Sequence, residues 1–573
     1  MSVPDRWLIA PKAPEAYLRS VARFAPPQLG QILWNRGFRD VESVEAFLRG
    51  GDLSHLPDPF TYEDMGKAIA RLARAKKRRE RVFIHGDCDP DGACGAAILR
   101  ELCAALGIEA KVYLPDRVSE GHGISDCAVE EIIRSRAKLL LTVDTGVSEH
   151  RAIATLRSRG IDTIVLDHHL VPETLPDAVA VIDAQRPDDR YPFDWLCGTA
   201  VAFVFAQAVT QHPLGRSLPS TILTRWLDLV AIATVADLVP LEGLNRLLLR
   251  LGISALRETE RVGLRMLYRV ARLAPRTIDE ETIAFDIAPR LNAASRMDHS
   301  DVAYALLTTK EKEEAEKLAR DLDRQNRARQ RAVAALLREA EDMLAAMPRV
   351  PEAIVLWGEK RFSESLLSLV ASKLIERYAR SVFLCAIVGE NARCSGRSVE
   401  GIDLIKAMRA CGGEELFSRF GGHAMAAGCT IKAEWLPLFR ERLQRYAEEH
   451  RPAISPAILT ADLVIRPHEV SPELLAWFDE LGPFGKGNPR PLVAMRNLIV
   501  LGVRKGGRGA RRTIVRVAEA HGGRVIEAFL EDHEEIPPLR GGDEVDLMGE
   551  IVGRRWGRGH GVEIRIRGMR RKG

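Results

Sequence analysis

Between Arg81 and Ala184, short β-branched apolar runs alternate with longer amphipathic ones, and no other feature of the chain narrows its possible folds so far. "RVFI" (81–84), "KLLLTVD" (138–144), "DTIVLD" (162–167) and "AVAVID" (178–183) have the length and residue types of buried strands. "GACGAAILRELCAALG" (92–107) and "SEHRAIATLRSRG" (148–160) carry apolar residues at helical spacing. This alternation predicts βαβ units and a parallel sheet. A parallel sheet also limits where chemistry is done, because its sites gather beyond the carboxyl ends of the strands.

The other segments divide around this block. Residues 1–75 read as a helical extension and 76–305 as the α/β domain. "TKEKEEAEKLARDLDRQNRARQRAVAALLREAEDMLAAM" (309–347) has no Gly or Pro and is rich in helix formers. It reads as one helix of ~55 Å at 1.5 Å per residue, a strut over 306–348 between two domains, with two helices as the alternative. Strands and helices resume over 349–452, and "RPAIS" (451–455) marks a boundary. Over 453–573, runs such as "NLIVLGV", "TIVRV" and "GVEIRIRG" alternate with Gly-rich turns, as in a small all-β barrel or sandwich.

Composition excludes several classes. The 46% hydrophobic and 28% charged content is that of an ordinary globular protein. "STILTRWLDLVAIATVADLVPL" (220–241) carries Arg225, Asp228 and Asp237 and reads as buried core, so no membrane association is expected. Nine cysteines with no CxxC pair argue against a disulfide framework and a zinc ribbon, and predict a reducing, cytoplasmic compartment. "MSVPDRWLIAPKAPEAY" shows no secretory leader. Net charge is only +4, but Leu501–Gly573 holds 16 Lys and Arg against 11 Asp and Glu. That excess fits a polyanionic partner or a solvated basic surface.

"HGDCDPDGAC" (85–94) follows the first strand and sets His85, Asp87, Asp89 and Asp91 at alternate positions. An extended segment aims such residues to one side, so all four are expected to face one pocket, with Cys88 and Pro90 turned toward packing. Gly92 and the helix after it are expected to let backbone approach an anion. Asp144 ends "LLLTVD", Asp167, His168 and His169 end "TIVLDHH", and Asp237 closes "VAIATVAD", read as a fourth strand end. Singly, each is most simply a turn or cap. Together they form the oxygen-and-imidazole donor set that suits Mn²⁺ or Mg²⁺ in phosphate chemistry.

With these clusters the chain resembles the DHH phosphoesterase superfamily, which includes pyrophosphatases, small-oligonucleotide nucleases, cyclic-dinucleotide phosphodiesterases and the RecJ single-strand DNA exonucleases. The resemblance implies that His85 and Asp89 hold one metal ion, that Asp91, His168 and Asp237 hold a second, and that Asp144 bridges them. It implies that His169 meets the scissile phosphate. Asp87 is an additional acid of open role, which makes Asp144, His169 and Asp87 the candidate catalytic side chains. Further stretches resemble the RecJ branch: "YLPDRVSEGHGI" (113–124) with Arg117, "RYPFDWLCGTAVAF" (190–203), "VADLVPLEGLNR" (235–246), and "FDIAPRLNAASRM" (285–297) with Arg290 and Arg296. "CSGRSVEGIDL" (394–404) offers Ser395 and Arg397 to phosphate, and "FGGHAMAAGCTI" (420–431) offers Gly421, Gly422 and His423. "LGPFGKGNPRPLV" (481–493) resembles the approach to the RecJ OB domain.

The implied fold class is α/β: a DHH domain with a parallel sheet, a long connecting helix, a smaller α/β DHH-associated domain and an all-β OB-like domain. The implied activity is 5′-to-3′ degradation of single-stranded DNA to 5′-mononucleotides, in recombination and repair. Two Mn²⁺ or Mg²⁺ ions would activate water and neutralise phosphate charge. A narrow cleft would admit one strand, gripped beyond it by Arg504, Lys505, Arg508, Arg511 and Arg512, with Trp556 stacking on bases or simply packing. A monomer working with single-strand-binding protein and a helicase is expected. Three departures from the family pattern stand out: Cys88 in place of an aromatic, Ser295 in place of a glycine, and "GEKRFSESLLSLVASKL" (358–374). The alternatives are a phosphodiesterase of short RNA or cyclic dinucleotides, and a catalytically impaired DNA-binding scaffold.

Overall fold

The computed structural model describes residues 6–117, 119–297, 301–359, 361–450, 458–506, 512–520, 522–531, 538–553 and 561–572. The chain forms two compact units. One comprises Gly51–Gln330 with Pro483–Pro489. The other comprises Met1–Gly50, Arg331–Gly482 and Arg490–Gly573.

The first unit is built on a five-stranded parallel sheet in the order Ala110–Tyr113, Val82–Gly86, Leu139–Val143, Asp162–Leu166, Ala180–Ile182. Four of these strands are the apolar runs recognised in the sequence. The fifth, "AKVY", is a partly exposed edge strand without a continuous apolar signal. Every residue of Val82–Gly86 and Leu139–Val143 is buried, as expected where both faces of a parallel sheet are covered. Val82, Ile84, Leu139, Leu141 and Val143 face a core shared with the helices Pro90–Ala105, Gly198–Gln211 and Ile222–Ala236. Phe83, Leu140 and Val165 face the opposite core, with Asp126–Arg134 and His150–Ser158. The second strand in chain order lies on one side of the first and the third on the other. That reversal leaves a crevice between the ends of Val82–Gly86 and Leu139–Val143.

The apolar 220–241 stretch is core, as expected. Its buried Asp228 is tolerated because Arg261 Nε lies 3.1 Å away and the Thr259 hydroxyl donates to it at 2.7 Å. No helix among the described residues is long and apolar enough to cross a membrane. Residues 483–489, part of the stretch that resembles the approach to the terminal domain, pack within this α/β unit. Leu241 N–H donates to Lys486 O at 2.7 Å, and Phe484 N–H donates to Glu280 Oε1 at 3.1 Å.

In the second unit, Ala353–Gly358 and Ser381–Val388 pair in parallel, and Asn391–Arg397, Ala426–Lys432 and Phe417–His423 extend the sheet antiparallel. Cys385 and Cys394 face each other in register and form a disulfide, against the expectation from the cysteine pattern. The terminal strands Leu492–Lys505, Arg512–Glu519, Ile526–Glu531, Val562–Arg571 and Glu544–Gly553 close into a barrel, because Leu492–Lys505 also pairs with Glu544–Gly553. The stretch at the start is not all helix. Arg6–Ile9 is a strand lying parallel to Ile458–Ala461, ahead of the helices Glu15–Val21, Pro27–Asn35 and Val41–Arg49. The long helix runs unbroken from Lys312 to Ala345. Its Ala315, Ala319 and Leu322 pack in one core, and its Leu336, Ala340 and Leu344 in another.

Candidate metal centre

The alternating acids do not lie on an extended segment. The strand ends at Gly86, and Asp89 is the N-cap of the helix Pro90–Ala105. Asp89 accepts from Asp91 N–H at 2.8 Å and Gly92 N–H at 3.3 Å. Pro90 suits the first helical position, where no N–H partner exists. The side chains therefore reach the site from a strand end, a cap and a first helical turn. Gly92 is required by the chain's own backbone, since a Cβ there would lie 2.3 Å from Asp87 O. Cys88 is buried, as expected, yet its Sγ sits on the acid side, 3.7 Å from Asp87 Oδ2. Burial pushes this thiol well up, so it remains a neutral neighbour of the acids.

Asp91 is 1% exposed and is clamped from across the fold. Gly198 N–H and Thr199 N–H, at the start of the helix Gly198–Gln211, each donate to its carboxylate at 2.7 Å. Asp144 follows its strand in the left-handed region at φ 60°, a conformation that costs a non-glycine residue about 1–3 kcal/mol. A Cβ on Gly198 would come 2.6 Å from the Asp144 Cβ, so glycine is what lets these two segments meet. Asp237 corrects a second expectation. It caps the C-terminus of the helix Ile222–Ala236 and ends no strand. A carboxylate at that pole sits in an unfavourable field.

These elements converge on one imidazole. His168 Nε2 lies 3.1 Å from Asp144 Oδ1, 3.8 Å from Asp237 Oδ2 and 3.9 Å from Asp91 Oδ2. Ligand atoms of Asp91, His168 and Asp237 come within 4.8 Å of one another, as do those of Asp87, Asp89 and Asp144. Burial and the Asp91 charge push Asp237 up to about 8, burial and Asp87 push Asp89 up to about 6, and burial with the Asp91 charge holds Asp144 well above the usual carboxylate range. His85 stands in neither group; its ring stacks on Tyr113 at 5.7 Å.

The residues fit divalent cations. His85 is fully buried, both ring nitrogens lack a partner, and burial holds its pKa at about 4, so it keeps a free lone pair. An unsatisfied buried polar group costs about 1–3 kcal/mol, which a cation would recover. Carboxylates that raise one another's pKa call for the same charge, and oxygen with imidazole is the donor set of Mn²⁺ or Mg²⁺.

Two further pairs border the cluster. His169 Nδ1 lies 2.8 Å from Asp167 Oδ1, and that bond raises the imidazole to about 9. Burial would raise Asp167, but the bond and charge of His169 with Val147 N–H hold it below the usual carboxylate range. His122 was not singled out in the sequence. Its Nδ1 lies 3.1 Å from Asp87 Oδ2, and against the pull of burial it keeps Asp87 low. The only available signal was its place in the stretch quoted for Arg117.

Comparison with known proteins agrees with this architecture. The family models for the DHH family N-terminal domain, the DHHA1 domain and the RecJ OB domain match residues 81–234, 350–449 and 461–568. The chain is 33% identical over 539 residues to the single-stranded-DNA-specific exonuclease RecJ of Bacillus subtilis, covering 92% of this chain and 66% of that one. It is 32% identical over 488 residues to that of Escherichia coli, covering 82% and 83%. The chain belongs to the RecJ family. The crystal structure of RecJ from Thermus thermophilus in complex with Mn²⁺ matches with a TM-score of 0.82 at 29% identity, covering 99% of this chain and 80% of that one. Along this chain the matched domains follow one another in the order DHH, DHHA1 and RecJ OB.

The other expected RecJ-like contacts fall in several places. Arg117 is half-buried, and its charge acts on Asp87 and Cys88. Arg290 is engaged internally, with Nε 3.1 Å from Asp323 and Nη1 donating to Asp286 O at 2.6 Å. The side chain of Arg296 lies outside the described residues, as do Arg508, Arg511 and Trp556. In the second unit, register aligns Ser395 with Gly428 and Gly421, and Arg397 with Ala426 and His423. Gly422 lies between Gly421 and His423 on the same exposed strand end. Arg504 and Lys505 end a barrel strand, and Arg504 Nη2 lies 3.4 Å from Glu527. The Arg512 guanidinium stacks on Phe529 at 4.1 Å.

Proposed function

We propose that this chain is a divalent-metal-dependent exonuclease that degrades single-stranded DNA 5′ to 3′ to 5′-mononucleotides during recombination and repair. The observation that carries the reading is the convergence of Asp91, Asp144 and Asp237 on His168, beside a buried histidine with two unpartnered nitrogens. His85 and Asp89 would hold one ion, Asp91, His168 and Asp237 the other, and Asp144 both. Two Mn²⁺ or Mg²⁺ ions supply an activated water and a positive field for the phosphate.

The chain's own residues do the rest. Asp167 keeps His169 protonated at neutral pH, so its imidazolium can hold a phosphate oxygen at the cluster edge. Arg117 adds a second cation beside Asp87. Gly198 and Thr199 hold Asp91 by both oxygens, so its orientation does not depend on substrate. Ser395, Arg397 and the Gly421–His423 strand end offer further phosphate contacts, and Arg504, Lys505 and Arg512 a basic surface on the barrel. The chain acts as a cytoplasmic monomer, with single-strand-binding protein and a helicase as partners.

End-labelled single-stranded DNA with Mn²⁺ tests this. Asp144→Ala and His168→Ala should each lower cleavage by at least about a hundredfold while DNA binding survives. Wild-type rates in either variant would overturn the ligand assignment. A strong preference for a two-nucleotide RNA over long DNA would overturn the substrate.

A further inference from the structure

Three segments far apart in sequence meet on one edge of the metal centre, and each carries an exposed side chain that the reaction has not used. The first holds Trp195, three residues ahead of the Gly198 that clamps Asp91. That residue is 55% exposed, an unusual state for the largest side chain. The second is the turn after Asp237, where Leu238 adopts φ 57°. The third is the 483–489 loop with Lys486, which is exposed and makes no salt bridge among the described residues.

Backbone bonds tie the three together. Asn245 is fully buried, and its Nδ2 donates to Trp195 O at 2.5 Å and to Pro240 O at 3.0 Å. One residue on, Leu241 N–H donates to Lys486 O at 2.7 Å. Phe484 N–H, bonded to Glu280, anchors the other side of the loop. Trp195 and Lys486 are thus held to the segment that leaves Asp237.

We propose that Trp195 and Lys486 form a strand-holding rim on the Asp237 side of the metal centre, the indole stacking on a base and the ammonium meeting a backbone phosphate of single-stranded DNA. Both chemistries are sequence-tolerant: every base has a π-face, and every nucleotide has a phosphate. An exposed aromatic face and an exposed cation also suit a single strand better than a duplex, whose bases are already stacked. The proposal rests on the nuclease reading and adds to it the residues that feed the strand to the ions.

Steady-state kinetics of the full-length protein on oligo(dT) test it, together with anisotropy binding of a labelled strand in EDTA and quenching of a 2-aminopurine strand. Trp195→Ala should raise KM by about 5- to 50-fold and abolish the quenching, with kcat little changed, and Trp195→Phe should restore most of both. Lys486→Ala should weaken binding severalfold and lower the slope of log affinity against log salt by about 0.7, and Lys486→Arg should restore it. Unchanged Mn²⁺ binding would show that the variants are folded. Wild-type KM, quenching and salt slope in both alanine variants would overturn the rim while cleavage persisted. So would losses that the conservative variants fail to restore. A wild-type protein that cleaves no DNA would instead overturn the nuclease reading, and the EDTA binding data would still judge the rim.

Discussion

His85 shows how little a residue's identity says until its surroundings are known. In sequence it was one of four alternating polar groups; in the fold it alone is fully buried with both nitrogens unpartnered. Asp183 is a second such residue, and it does not belong to the metal cluster. It is buried, its Oδ2 has no partner, and burial pushes its carboxyl up to about 7. The sign follows from linkage. The folded state keeps a proton that the unfolded chain gives up near 3.9, so a penalty is absent below that pH, grows as pH rises, and is complete above about 7. Asp183→Asn should therefore stabilise the protein by about 2–4 kcal/mol at pH 8 and by much less at pH 5. Melting temperatures at the two pH values check this, and equal gains at both would refute the buried-proton account.

At the scale of elements, the strands with continuous apolar runs were legible because burial on both sheet faces demands such runs. The edge strand Ala110–Tyr113 and the short Arg6–Ile9 strand were not, since edges and long-range pairs leave weak local patterns. Ligand-bearing positions were legible as residue types in the right order, but the elements beneath them were not: one expected strand end is a helix C-cap, and an expected extended run is a cap and a helical turn. The close approach of Gly198 to Asp144 had no sequence signal. Gly198→Ala should cost about 1–3 kcal/mol by overpacking and weaken Mn²⁺ binding, as measured by denaturation and metal titration. Undiminished metal affinity would show that Asp144 does not need that contact.

At the scale of the whole molecule, every residue of the metal cluster lies within the unit Gly51–Gln330. The candidate phosphate contacts Ser395, Arg397 and Gly421–His423 and the basic barrel strands lie in the other unit. The helix Lys312–Ala345 is continuous across that division. Proline at exposed Gln330 should break its hydrogen bonding at a cost of about 3 kcal/mol. Turnover of long DNA should fall, while Mn²⁺ affinity stays within about twofold of wild type, because distant independent sites add. Loss of metal binding in Gln330→Pro, measured by calorimetry, would show that the cluster depends on more than its own unit.

By itself the sequence determined the parallel sheet, the long helix, the terminal β domain and the order of the acids and histidines. Each of these is a periodicity or residue type written along the chain, and local physics reads it directly. Only the tertiary structure decided that Asp237 arrives on a helix end, that His122 holds Asp87, that His85 is left without partners, and that a loop from residue 483 onward bonds to Leu241. Those facts depend on which distant segments come within a few ångströms, and packing sets that distance.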